Sequence, residues 1–173
     1  MLEQVEDVFE MNDELKENLS IADLKGSYAG AMGMGQFIPS SFRRYAIDFD
    51  LDGNRDLWGQ SSDAIGSVGN YLYEHGWRRD EVVAVKVDKF CRFLVQENFS
   101  KSIGSEKINN CLEKISEKEN ISDRVVRPLE LAVPGGYEYW FGFWNFSVLT
   151  KYNRSNLYAM AVYQLSEALK KDD

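Results

Sequence analysis

Ten consecutive residues, Gly26-Ser-Tyr-Ala-Gly-Ala-Met-Gly-Met-Gly35, hold four glycines, two alanines and one serine. Such a run cannot sustain a long helix or a central strand, because glycine loses the most backbone freedom on ordering and offers no side chain to pack. It permits instead a close approach of backbone to backbone, or of backbone to a ligand. Gln36 follows, ahead of the apolar pair Phe37-Ile38 and of Pro39. An amide in that setting suits a neutral polar ligand such as a sugar, since it donates and accepts at once. The plainer reading leaves Gln36 on the surface beside a tight packing contact. A phosphate-binding reading fails on the residues: no Gly-Lys-Ser or Gly-Lys-Thr is present, and Ile38 stands where a dinucleotide fingerprint needs glycine.

Around this run the pattern is mainly helical. Pro39 is placed to open a short helix through Tyr45. Ser61 or Ser62 can cap another that carries Ile65, Val68, Tyr71 and Leu72 on one side and ends at His75-Gly76. Residues 2–19 space Val5, Val8, Phe9, Leu15 and Leu19 as an amphipathic helix, and residues 155–170 put Tyr158, Ala161, Val162, Leu165 and Leu169 on one stripe. From about Arg78 to Arg127 the texture changes: Val82 to Val87 has β-propensity, while Ile108, Cys111, Leu112 and Ile115 repeat at helical spacing. Leu129–Val133, the turn Pro134-Gly-Gly136 and Tyr137–Phe141 read as a hairpin whose loop exceeds two residues. The expected class is α+β, mainly α, with a small α/β insertion.

Composition narrows the partners. With 44% hydrophobic and 28% charged residues the chain has the balance of a folded globular domain. Its net charge of −8 matches nucleic-acid phosphates and anionic lipid poorly, so no nucleic-acid partner is expected. No run is long enough to span a bilayer, and the first residues carry charges where an export signal needs an apolar stretch. Cys91 and Cys111 lack CxxC spacing and a nearby histidine cluster, which argues against zinc and thioredoxin-like chemistry; whether they pair is not legible. His75, the sole histidine, is explained more simply by a helix end than by catalysis. Seven of the twenty-three aromatic residues fall between Tyr137 and Phe146, as a dense strand-pair core or as a binding wall.

The segment Asp48-Phe-Asp-Leu-Asp-Gly-Asn-Arg-Asp56 matches the front half of a calcium loop: oxygen side chains at positions 1, 3 and 5, glycine at 6, and Asn54 offering its carbonyl at 7. Position 12 is Gly59 where an EF-hand has Glu, leaving Asp63 as the available substitute. The same aspartates can equally form a solvated turn, with Asp63 favouring a helix dipole. Calcium held there is structural, since an ion enclosed by carboxylates has no open position for chemistry. No organic cofactor is expected.

Taken in order, the Gly26–Phe42 segment, the acidic loop, Asp63-Ala-Ile-Gly-Ser-Val-Gly-Asn-Tyr71, His75-Gly-Trp77, Tyr139-Trp-Phe-Gly142 and Tyr152-Asn-Arg-Ser-Asn-Leu-Tyr-Ala-Met-Ala-Val-Tyr-Gln-Leu165 resemble the lytic murein transglycosylase B family. The resemblance is weakest between about Arg79 and Arg127. It implies a lysozyme-like core at 1–78 with an EF-hand-like loop at 48–63, a small α/β subdomain at 79–147, and a returning core helix at 148–173. The implied activity is cleavage of the bond from N-acetylmuramic acid to N-acetylglucosamine without water, giving 1,6-anhydromuramic ends, with one Glu acting as acid and then base. In the family that Glu stands in a Val-Glu-x-x-Trp-Gly-type motif, and residues 1–173 contain no copy. Glu10, Glu14, Glu17, Glu74 and Glu138 do not match its position, so no catalytic residue is assigned.

The chain therefore reads as the carboxy-terminal portion of a catalytic domain with an incomplete core. Two expectations follow: an enzyme of this class, or a non-catalytic glycan-binding remnant or fragment needing a complementary upstream piece. By the resemblance, Ser27, Gln36, Tyr71, Tyr152, Asn153 and Tyr158 fall where the family lines its glycan cleft. Gln36 and Asn153 would bond acetamido or hydroxyl groups, and the tyrosines would supply ring faces. The implied metal ligands are Asp48, Asp50, Asp52, the Asn54 carbonyl and Asp63. Gly59–Asp63 is one residue longer than the family pattern, which leaves Asp56 as a rival to Asp63. The implied partner is the peptidoglycan glycan strand, and the implied location periplasmic or outer-membrane-associated.

Overall fold

The computed structural model describes residues 26–28, 30–87, 91–98, 103–104, 111 and 125–170. They fall into two compact units divided between Glu74 and His75. The helix expected over 2–19 and the helical spacing of Ile108, Leu112 and Ile115 lie outside the described residues.

In the first unit the small-residue run doubles back twice, Gly26 bridging Met32 and Met32 bridging Phe37. Gly33 is what lets it lie flat. Its φ is +66°, and a Cβ there would fall 2.7 Å from the Leu57 carbonyl oxygen, the same oxygen that accepts the Met34 N–H at 2.7 Å. Helix α1 (Pro39–Tyr45) opens on the proline, as the sequence indicates, and buries Phe42. Helix α2 (Ser61–Glu74) buries Asp63, Ala64, Gly66 and Ser67, whereas Ile65 is 72% exposed. The acidic loop decides which side is covered. Phe49 lies so close to Gly66 that a Cβ would meet its ring at 2.6 Å, and the Ile47 N–H donates to Ser67 Oγ at 2.9 Å. Small residues admit that contact, so the large apolar ones are turned away from it.

The second unit is built on a four-stranded antiparallel sheet of order β1-β4-β3-β2, comprising β1 (Ala84–Lys86), β2 (Ile103–Gly104), β3 (Val125–Val133) and β4 (Gly136–Gly142). The β3–β4 hairpin is tighter than its sequence suggests. Val133 pairs with Gly136, so the loop is only Pro134-Gly135, and Gly135 at φ +93° supplies the left-handed residue a type II turn needs after proline. Helix α3 (Arg92–Asn98) covers one sheet face, where Val87, Val95, Ile103, Val126, Phe141 and Phe143 surround the buried Cys91 and Cys111. These cysteines form a disulfide, settling the pairing that spacing left open.

Leu129 and Leu131 point to the opposite face, which is met by α4 (Trp144–Tyr152) and α5 (Asn156–Leu169). Phe146 and Leu129 close over Gly142, where an added Cβ would lie 3.0 Å from the phenyl ring. Buried Asn145 fastens α4 to the segment before β1: its Nδ2 donates to the Arg78 and Glu81 carbonyls at 2.7 and 3.1 Å, and its Oδ1 accepts the Arg78 N–H at 2.9 Å. Ser155 caps α5 through the Tyr158 N–H. The helix buries Ala159 and Met160, while Leu165 and Leu169 on the predicted stripe are exposed. Among the described residues the fold is α+β and mainly helical, and no helix is long and apolar enough to cross a membrane.

Candidate functional site

In the first unit Gln36 closes the double turn. It is a non-glycine residue in the left-handed region, at φ +50°, a conformation that costs an L-residue about 1–2 kcal/mol. Two bonds to one acceptor hold it there: its main-chain N–H and its Nε2 both donate to the Gly33 carbonyl, at 3.1 and 2.9 Å. The side-chain bond uses one amide hydrogen and leaves Oε1 as an acceptor. Beside it opens a cavity of about 410 Å³ lined by Met34, Gly35, Ser61, Ala64, Ile65 and Val68.

Tyr71 lies on α2, one turn beyond Val68. Its ring packs 5.9 Å from that of Phe37 and edge-on to Tyr45 at 4.8 Å. Burial pushes its hydroxyl above the ordinary 10.0, and neighbouring Tyr45 pushes it further, so Tyr71 remains a neutral O–H donor across the physiological range. Ser27 is exposed, and its Oγ accepts the Ala31 N–H at 3.1 Å. Tyr45 and the α2 residues at the cavity are missing from the sequence-derived set. Helical spacing marks Ile65 and Val68 as apolar, and an apolar helix residue is ordinarily read as core.

The acidic loop is organised by Asp63, which is fully buried in the first turn of α2. Its Oδ1 accepts the N–H groups of Phe49 and Asp50 at 2.8 and 3.4 Å, and its Oδ2 that of Asp56 at 2.9 Å. One carboxylate thus ties both ends of the loop to the helix. Asp48 accepts from the Asp52 and Gly53 amides, and Asp50 accepts from the Ser62 hydroxyl at 3.0 Å. Oxygens of Asp48, Asp50 and Asp63 lie within 4.8 Å of one another. Asp52 takes the Asn54 N–H at 2.8 Å. Asp56 is engaged differently, its Oδ1 accepting the Trp58 and Gly59 amides, each at 2.8 Å.

In the second unit Tyr152, Asn153 and Tyr158 gather at the α4–α5 junction. Asn153 Oδ1 accepts the Ser155 N–H at 3.0 Å, fixing the turn and leaving its Nδ2 to donate. Tyr158 is 42% exposed. On β4, Glu138 bonds Lys86 and accepts the Trp140 indole N–H at 3.2 Å. The hydrogen bond from Lys86 is the main reason its carboxyl titrates below the ordinary 4.5. A carboxylate so held is a poor proton donor near neutral pH. His75 offers its carbonyl to Lys151 Nζ at 3.2 Å, an end-of-helix role.

Residues 2–167 match the family described as Transglycosylase SLT domain. The chain is 44% identical over 147 residues to membrane-bound lytic murein transglycosylase B of Escherichia coli (strain K12), covering 85% of this chain and 40% of that protein. The structure of the Escherichia coli lytic transglycosylase Slt35 in complex with calcium is similar at a TM-score of 0.76 and 36% identity, over 98% of this chain and 53% of that one. SltB3 from Pseudomonas aeruginosa in complex with NAG-anhNAM-pentapeptide is similar at a TM-score of 0.74 and 28% identity, over 96% and 45% of the two chains. The chain thus spans roughly half the length, or less, of these proteins.

Proposed function

The chain belongs to the Transglycosylase SLT domain family, and on that premise we propose that it holds glycan strands of peptidoglycan for lytic transglycosylase chemistry. The observation that supports this reading is an open groove lined by Gly35, which precedes Gln36 in the chain, and by Val68, one helical turn before Tyr71, with Gln36 itself exposed. A similar protein in complex with a muramyl-peptide fragment supports the same ligand class.

The proposed reaction is an internal displacement. The muramic C6 oxygen bonds to its own C1 as the bond from C1 to the glycosidic oxygen breaks. A carboxylic acid gives its proton to the departing oxygen, and the carboxylate then takes the C6 hydroxyl proton, so a 1,6-anhydro ring forms without water. Residues 1–173 contain no Val-Glu-x-x-Trp-Gly segment, so the roles assigned here are binding and orientation. Gln36 and Asn153 address acetamido or hydroxyl groups, Ser27 supplies a hydroxyl, and Tyr71, Tyr152 and Tyr158 supply ring faces and O–H groups. A second reading is a glycan binder that does not cleave. Incubation with purified sacculi separates the two. Anhydromuropeptides detected by mass support the enzyme; sedimentation with sacculi and no release supports the binder; neither result overturns both.

The acidic loop is assigned a structural Ca2+, held by Asp48, Asp50, Asp52, the Asn54 carbonyl and Asp63. The donors are all hard oxygens, and the convergence of three carboxylates is repulsive until a cation neutralises it. The ion would steady the start of α2. Leu157, Leu165 and Leu169 lie exposed along α5, which supports a complementary polypeptide segment covering that face. Similarity to a membrane-bound murein enzyme supports a periplasmic or outer-membrane-associated location, and the Cys91–Cys111 disulfide suits such an oxidising compartment.

A further inference from the structure

We propose that Tyr45 is a positioning residue for Tyr71: together with Phe37, its ring holds the Tyr71 side chain in the rotamer that presents its ring face and hydroxyl to a glycan strand. The inference rests on the glycan-binding reading and adds a residue that acts on the ligand only through another.

A tyrosine hydroxyl sits at the end of rotatable side-chain bonds, so it is placed only as well as its rotamer is fixed. Tyr71 is half-buried on α2, and the helix alone does not fix it, because a long helical side chain still has more than one accessible χ1 well. Packing must choose between them. Two rings meet Tyr71: Phe37 at 5.9 Å, tilted by 48°, and Tyr45 at 4.8 Å, inclined by 69°. The Tyr45 contact is the closer and the more nearly edge-on, an arrangement in which the ring quadrupoles attract and which is lost when either ring turns. Phe37 is only 3% exposed and is held by the core, whereas Tyr45 is half-buried and needs other restraints.

Those restraints are present. Tyr45 is the last residue of α1, and its carbonyl accepts Asn70 Nδ2 at 3.0 Å. Two residues on, the Ile47 N–H donates to Ser67 Oγ at 2.9 Å. Both partners stand on α2, Asn70 adjacent to Tyr71 and Ser67 one turn before it. The backbone that carries Tyr45 is thereby tied to the helix that carries Tyr71, at points close to Tyr71 itself. The Arg44 guanidinium lies over the Tyr45 ring, 5.4 Å from its centroid, a cation–π contact that restrains the ring as well as the main chain. A group that must meet a ligand accurately is held in this manner, by packing on a neighbour whose own hydrogen bonds fix it.

The test is a double-mutant cycle read by calorimetric titration of this chain with a β-1,4-linked N-acetylglucosamine tetrasaccharide. Tyr45→Leu and Tyr45→Met both remove the ring, and each is expected to bind about fivefold more weakly, the shift in rotamer population that an edge-on ring contact is worth. Tyr45→Phe keeps the ring and is expected to restore wild-type affinity. In a Tyr71→Leu background, itself weakened, Tyr45→Leu is expected to cost nothing further, because the residue it positions is gone. A loss through general loosening of the fold would persist there. In the wild-type chain, Overhauser contacts between the Tyr45 and Tyr71 rings are expected both free and with the sugar bound. Undiminished binding by the ring-free variants, failure of Tyr45→Phe to restore it, a Tyr71→Leu chain that binds as the wild type does, a full further loss in that background, or disappearance of the ring contact on binding overturns the positioning role while leaving glycan binding in place. Failure of the wild type to bind both the tetrasaccharide and sacculi overturns the two readings together.

Discussion

Gly33 and Glu138 show how much a single position can decide. A Gly33→Ala change forces a side chain into the left-handed region and brings a methyl to 2.7 Å from the Leu57 carbonyl oxygen. The expected loss is about 3 kcal/mol, conformational cost and overpacking together, read from urea melts. Sugar affinity is expected to fall with it, because the Gly33 carbonyl holds both Gln36 bonds. Glu138 acts through protons. Its folded carboxyl titrates below the ordinary 4.5, so between the two values the unfolded chain binds more protons and stability rises with pH. The contribution is full above about pH 4.5 and lost as pH falls through the folded value. Glu138→Gln is therefore expected to lower stability at pH 7 and to converge with the wild type in strong acid. Parallel melts that stay separated at low pH would refute that assignment.

At the scale of elements, the acidic loop and the disulfide carry the sharpest expectations. Millimolar calcium is expected to raise the melting temperature. Asp50→Asn should abolish the shift and leave the metal-free melt nearly unchanged, since among the described residues its oxygens accept from the exposed Asp52 N–H and Ser62 hydroxyl. Asp63→Ala should lower the metal-free melt as well, because three main-chain N–H groups lose their acceptor. The Cys91–Cys111 link closes a sequence separation of 20, for which chain entropy gives about 3 kcal/mol. Paired Cys→Ser substitution should cost about that much and remove any effect of reductant on the melt. These elements also show where sequence is informative. Proline at the start of α1 and serine before α5 act within a turn or so, and both helix starts can be read directly. The Pro134-Gly135 turn is misjudged by one residue because Gly136 pairs across the ladder, a choice made by the sheet. Which side of α2 is covered depends on Phe49 and Ile47, distant in sequence, so helical spacing alone assigns Ile65 to the wrong surroundings. The disulfide joins segments brought together by α3 and the sheet, in a core no local pattern reveals. For the candidate site, motif resemblance supplies Gln36 and Tyr71, while the groove lined by Met34, Gly35 and α2 and the packing of Tyr45 on Tyr71 exist only in three dimensions.

Over the molecule as a whole, the proposed work divides by unit. Gln36, Tyr71, the groove and the acidic loop belong to the first; Tyr152, Asn153, Tyr158 and the disulfide belong to the second. Helix α2 joins the loop to the groove, as does the bond from the Met34 N–H to the Leu57 carbonyl just after the loop. Asp63 at its first turn and Tyr71 are about 12 Å apart along one rod, with Ala64, Ile65 and Val68 between them. A rod gripped at one end cannot shift at the other without disturbing the grip. Occupancy of the two places is therefore thermodynamically reciprocal: if calcium strengthens oligosaccharide binding by some factor, the oligosaccharide must strengthen calcium binding by the same factor. Matched titrations, each ligand run with and without the other, are expected to return equal ratios above one. Should both proposed ligands bind, the grip on glycan would then follow the free divalent-ion concentration.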